Sequence, residues 1–238
     1  MNTYKTRAEL DELSEGLITL YLSKCNQSVP YIDIEKFITD FLNLKIQYVS
    51  FAEDDKGKAG FLANGATPLL IYHKKKIVPF VFPDGTILID KFLLSNNESN
   101  RKRFALAHEA SHYILNRVQN AKTVSRFNNS FDSEKVYTTE EFKQMFNSAE
   151  WQADNMAASL LMPIPFIENA INNFTKEPIK IYGKTTFTNN DKVLLREIAN
   201  YLKVSYTALV IRIKNTSLLE HHDISEYIAQ ELNLGGTL

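Results

Sequence analysis

The stretch Arg103-Phe-Ala-Leu-Ala-His108-Glu109-Ala-Ser-His112-Tyr-Ile-Leu-Asn116 constrains this chain more than any other. Phe104, Ala107, Leu115 and Val118 fall on or near one helical face, and Ala105, Leu106 and Ala110 are good helix formers, so the spacing predicts a buried helix. On such a helix His108 and His112 project from one face a turn apart, close enough for both imidazoles to bind a single zinc ion. Glu109 sits about 100° round the helix from His108, where it reaches a water beside the metal without being a ligand. H-E-x-x-H strings also arise in unrelated helices whose histidines are surface or satisfied core residues, so the chemistry requires a third ligand.

The extended form H-E-x-x-H-x-x-G-x-x-H needs a glycine and a histidine where this chain has Leu115 and Val118, which excludes that class. Thermolysin-like sites take a glutamate from a second helix instead. Downstream, Ser148-Ala-Glu150-Trp-Gln-Ala-Asp154-Asn-Met-Ala-Ala-Ser-Leu-Leu-Met162-Pro163 reads as a helix closed by Pro163, with Glu150 and Asp154 one turn apart. Glu150 can supply the third ligand, and Asp154 on the same face can accept the second ring N–H of a ligating histidine. Taken alone, the two also read as solvated acids on an amphipathic helix, and that reading would win.

Together the two segments carry a resemblance. Arg-Phe-x-Leu-Ala-His-Glu-x-x-His, followed by Glu-x-x-Ala-(Asn/Asp)-x-x-Ala-x-x-Leu-Leu-Met-Pro, resembles the ImmA/IrrE family of zinc metallopeptidases, and Leu160-Leu161-Met162-Pro163 is its most specific part. The resemblance implies that His108 and His112 are metal ligands, that Glu109 is the catalytic glutamate and that Glu150 is the third ligand. Asp154 falls on a polar position usually filled by Asn. The fold implied is α+β, a mostly helical zincin-like metallopeptidase domain with a small, mostly antiparallel β-sheet beside the H-E-x-x-H helix. A strand like Thr86–Asp90 would pack beside that helix and offer a free edge to an extended substrate. The activity implied is zinc-dependent hydrolysis of peptide bonds, with Zn²⁺ as cofactor. Members of the family are associated with cleaving helix-turn-helix repressors and so switching on mobile-element or stress-response genes.

Composition narrows the alternatives. An apolar content of 44% is ample for a packed core, and a net charge of −1 gives no overall field to draw in nucleic acid or acidic lipid. The lone Cys25 cannot form an internal disulfide, no basic and apolar leader opens the chain, and no apolar run approaches the roughly 18 residues of a membrane span. These features predict a cytoplasmic protein with no membrane partner.

Along the chain, Leu10, Leu13, Leu17, Ile18 and Tyr21 predict an amphipathic first helix over 4–24, with Glu9, Asp11, Glu12 and Glu15 on its other side. Asp33 is a candidate N-cap for a second helix carrying Ile34, Phe37, Ile38, Phe41 and Leu42. Strand-like runs follow at Ile46–Phe51, Gly60–Leu62, Pro68–Tyr72, Ile77–Phe82 and Thr86–Asp90, with Gly57, Gly60, Gly65 and Gly85 read as turns between them. His73-Lys-Lys-Lys76 reads as a solvated turn. The polar stretch 120–147 is either a lid or a surface insertion, with insertion preferred. After Pro163 a helix leads into a loop over 172–190.

Asp191–Lys214 then reads as two helices joined at Val204-Ser205, with Ser205 capping the second. The spacing imitates a DNA-binding helix-turn-helix, but Ala208, Leu209, Val210, Ile211 and Ile213 leave few side chains for bases, so a structural role is preferred and direct nucleic-acid binding disfavoured. His221 and His222 read as surface residues. The resemblance covers roughly 30–214. The chain is treated as one domain, 1–238, with an N-terminal helix in 1–29, a catalytic core over 30–163 and the helix-turn-helix-like subdomain at 191–214. The competing function is a DNA-binding or protein-binding regulator with a structural or inactive metal site.

Overall fold

The computed structural model describes residues 5–25, 30–52, 58–119, 128–129 and 148–232. They divide into two compact units, Met1–Pro163 and Ile164–Leu238. The chain is α+β and mostly helical, with small, mostly antiparallel sheets.

The first unit is built on the helix that carries H-E-x-x-H. In chain order its elements are α1 (Arg7–Cys25), a short α2 (Ile34–Lys36) that runs on as a π turn Phe37–Phe41, strands β1 (Ile46–Val49), β2 (Lys58–Leu62), β3 (Leu69–His73), β4 (Lys76–Phe80) and β5 (Ile87–Asp90), then α3 (Ser99–Gln119), β6 (Asn128–Asn129) and α4 (Ser148–Leu161). From Ala105 to Ser111 every residue of α3 is buried, so the helix has no solvent face there. Val118, expected near the apolar face, is 47% exposed because it lies past the part that α4 and the sheet cover. Ala105 on α3, about one turn before His108, and Ala153 and Ala157 on α4, on the side of Glu150, are buried, and their small size suits the packing of the two helices against each other.

Arg103 explains its place in the motif. The residue is 8% exposed, and its guanidinium donates from Nη2 to the Ile32 carbonyl at 2.8 Å and lies over the Tyr31 ring, tying α3 to the segment before α2. That segment begins α2 as expected, with Asp33 capping the Lys36 N–H. α1 is zipped to α4 by side chains on one face of α4. Gln152 accepts from the Lys5 N–H, Asn155 from Arg7, and Ser159 donates to Asp11, so Asp11 is a partner of α4 and not merely a solvated acid.

The main sheet has the order β1-β5-β2-β6. β5 pairs in parallel with β1 and antiparallel with β2, and Ile87, Leu88 and Ile89 are wholly buried, each contributing about 1.5–3 kcal/mol by leaving water. This corrects the expectation for Thr86–Asp90: β5 lies between two strands and has no free edge. β2 packs on α3, and β6 pairs along its other side through Gly60↔Asn128 and Lys58↔Asn129. Gly60 is therefore a strand residue and not a turn, whereas Gly65 and Gly85 do turn the chain with φ of +74°. β3 and β4 form a separate hairpin whose two-residue turn is Lys74-Lys75, both left-handed, so His73–Lys76 is the exposed turn the sequence predicts. Apart from Asn128 and Asn129, the stretch 120–147 lies outside the described residues, as does Gly57.

The second unit contains α5 (Ile164–Phe174), β7 (Ile179–Tyr182), α6 (Asn189–Leu202), α7 (Tyr206–Ile213), β8 (Leu219–His222) and α8 (Ile224–Glu231). The supposed loop 172–190 holds β7, and His221 and His222 end β8, which pairs with it in parallel from Ile179↔Leu219 to Tyr182↔His222. Lys203 closes α6 in a left-handed conformation, and Ser205 caps α7 through the Ala208 N–H. On α7, Leu209, Arg212 and Ile213 are buried, which withdraws them from any surface a base could meet. His222 is hydrogen-bonded to Glu220 and Glu226, which raise its pKa. Among the described residues no helix is long and apolar enough to cross a membrane.

Candidate metal centre

α3 and α4 lie side by side, and their facing turns bring together the residues singled out by spacing. His108 and His112 share the face of α3 that meets α4, and Glu150 in the first turn of α4 points back at them. His108 Nε2 and His112 Nε2 are 3.0 Å apart, and Glu150 Oε2 lies 3.5 Å from the first and 3.6 Å from the second. The ligand atoms of the three residues all lie within 4.8 Å of one another, the arrangement of a possible metal-binding triad.

The donor chemistry fits a divalent cation. Asp154, one turn beyond Glu150, stands 2.8 Å from His108 Nδ1, so that nitrogen keeps a proton and Nε2 is the atom that turns its lone pair to the cluster once its own proton has left. Two imidazole nitrogens and a carboxylate oxygen converge on one point. Tetrahedral ligation at about 2.0–2.2 Å requires ligand atoms about 3.3–3.6 Å apart. The observed 3.0, 3.5 and 3.6 Å bracket that span closely enough that only small side-chain rotations separate them.

Electrostatics point the same way. Burial opposes a charge on His108, yet the hydrogen bond and negative charge of Asp154, followed by Glu150 and Glu109, outweigh it and lift the imidazole pKa well above its usual value. Burial would also raise Glu150, but hydrogen bonds from His108 and His112 hold its pKa down to about 2. A site that so favours positive charge favours a metal cation by the same forces, and protons compete with it for His108 Nε2 as pH falls.

Glu109 contributes no ligand atom to the triad. It is 2% exposed, on the side of α3 that meets β2, where the backbone of Leu62 hydrogen-bonds its carboxylate. Burial is the main cause of a raised pKa, partly offset by the histidines. Gly60, two residues before Leu62, faces the same carboxylate so closely that a Cβ there would sit 2.6 Å from Glu109 Oε1. The sequence reading missed Gly60 and Leu62. The available signal was an isolated glycine inside a strand run, which marks close approach as readily as a turn.

His112 and Glu150 remain partly open, with 14% and 26% of their side-chain surface exposed, so the cluster is reachable from one side while His108 and Glu109 form its floor. The five residues His108, Glu109, His112, Glu150 and Asp154 all fall inside the span, residues 73–214, that matches the family model described as the IrrE N-terminal-like domain. No curated protein matches the chain. A match over more than half of the chain, taken with the helix pair that bears the motif, makes this protein a member of the IrrE N-terminal-like peptidase family, Peptidase_M78.

Proposed function

We propose that this chain is a zinc-dependent endopeptidase, in which His108, His112 and Glu150 hold Zn²⁺ and Glu109 is the general base. The observation that carries the reading is the convergence of two imidazole nitrogens and one carboxylate, with a buried Glu109 carboxylate near enough to feel the charge of both histidines. When bound there, zinc supplies Lewis acidity that polarises a peptide carbonyl and acidifies a water molecule. Glu109 takes the proton of the attacking water and hands it to the leaving amine, so the peptide bond is hydrolysed with no covalent intermediate. Asp154 keeps the His108 ring in the tautomer that presents Nε2.

The substrate we propose is a helix-turn-helix repressor, cut at a discrete site so that mobile-element or stress-response genes are released in the cytoplasm. The family resemblance supports this choice. Incubating the zinc-loaded protein with a repressor encoded beside its gene is expected to give one pair of fragments, and none once a chelator has removed the metal. An intact repressor in both samples would remove the substrate assignment. Cleavage that persists in metal-stripped protein would remove the metal mechanism.

A further inference from the structure

Gly60 lies mid-strand in β2, paired with Ile89 on one side and Asn128 on the other. Unlike Gly65, Gly85 and Gly183, it does not have a positive φ. Its backbone conformation is open to any residue, and a glycine inside a strand weakens that strand. The demand for glycine comes from α3. A methyl group on residue 60 would stand 2.6 Å from Glu109 Oε1, 3.0 Å from its Cγ and 3.2 Å from its Cδ, all inside ordinary van der Waals contact. Glu109 has no solvent to swing into, since it is 2% exposed and engaged by the Leu62 backbone.

We propose that Gly60 is a positioning residue, whose missing side chain forms the slot that seats the Glu109 carboxylate against β2. Leu62, on the same strand, fixes the carboxylate once it is in the slot. The strand thereby sets where the base stands relative to the metal triad, because α3 holds His108 and Glu109 as neighbours and cannot adjust one without the other. This inference rests on the proposed function, in which Glu109 works beside a bound metal.

The test compares wild type, Gly60→Ala, Glu109→Ala and the double variant, each loaded with Co²⁺ as a spectroscopic substitute for zinc. Gly60→Ala is expected to keep near-stoichiometric Co²⁺ but to show a shifted visible absorption, because the displaced carboxylate alters the surroundings of the metal. It is also expected to melt about 3 °C or more below wild type. In the Glu109→Ala background the same substitution is expected to leave the melting temperature unchanged or to raise it, since the slot is then empty and alanine suits a strand better than glycine. A Gly60→Ala chain that folds only together with Glu109→Ala supports the proposal equally. An unchanged Co²⁺ spectrum, an equal loss of melting temperature in both backgrounds, or failure of both to fold overturns it while leaving the metal content of wild type intact. A folded wild type that binds no metal overturns the metallopeptidase reading instead, and the role of Gly60 falls with it.

Discussion

Replacing Glu109 by Gln is expected to leave the metal content unchanged and to lower peptide cleavage by about 10²–10⁴-fold or more. The amide is nearly isosteric with the carboxylate, and its oxygen can still accept from the Leu62 backbone, so the packing of α3 against β2 survives. Glu109 contributes no atom to the cluster of His108, His112 and Glu150, so affinity for the metal has no reason to fall. The substitution removes only the capacity to accept a proton. His112→Ala should behave differently and lose metal and cleavage together, because it removes one of the three converging ligand atoms. Metal content and single-turnover cleavage measured on both variants separate the two roles. A Glu109→Gln variant that cleaves like wild type would take the base assignment away from this residue.

Asp154 tests the outer part of the site. In Asp154→Ala, the Nδ1–H of His108, a residue 4% exposed in the wild type, loses its acceptor, and a buried donor left unpaired is costly. The ring is then free to change tautomer or to rotate, and zinc affinity is expected to fall about 10–100-fold. Asp154→Asn keeps an acceptor oxygen at the same reach and is expected to hold zinc much closer to wild type. Competition with a chromogenic chelator measures both. Unaltered affinity in Asp154→Ala would show that the 2.8 Å contact does not orient the ligand.

The parts of the site that could be read from the sequence share a property: their geometry is set within one helix. Four-residue spacing puts His108 and His112 on one face, and Glu150 and Asp154 on another, whatever surrounds them. Caps are local in the same way, and Asp33 and Ser205 both cap as expected. The features that were misread depend on residues far apart in sequence. Whether Thr86–Asp90 has a free edge is decided by Ile46–Val49, which joins it in parallel from some forty positions earlier. Ile179–Tyr182 was taken for loop because a four-residue strand is stable only beside its partner, Leu219–His222. Gly60 looked like punctuation because the reason for it, the carboxylate of Glu109, lies on another element. Asp11 was placed on the polar side of the first helix, and nothing local showed that its partner, Ser159, lies on α4.

The central claim is that two histidines of α3 and one glutamate of α4 form a zinc site. It is tested most directly by measuring zinc per chain in protein purified without added metal, alongside Glu150→Ala. Near-stoichiometric zinc in wild type and a marked loss in the variant, with both shown to be folded, is the predicted result. Folded wild type without zinc, or a variant that retains it in full, would contradict the His108–His112–Glu150 site.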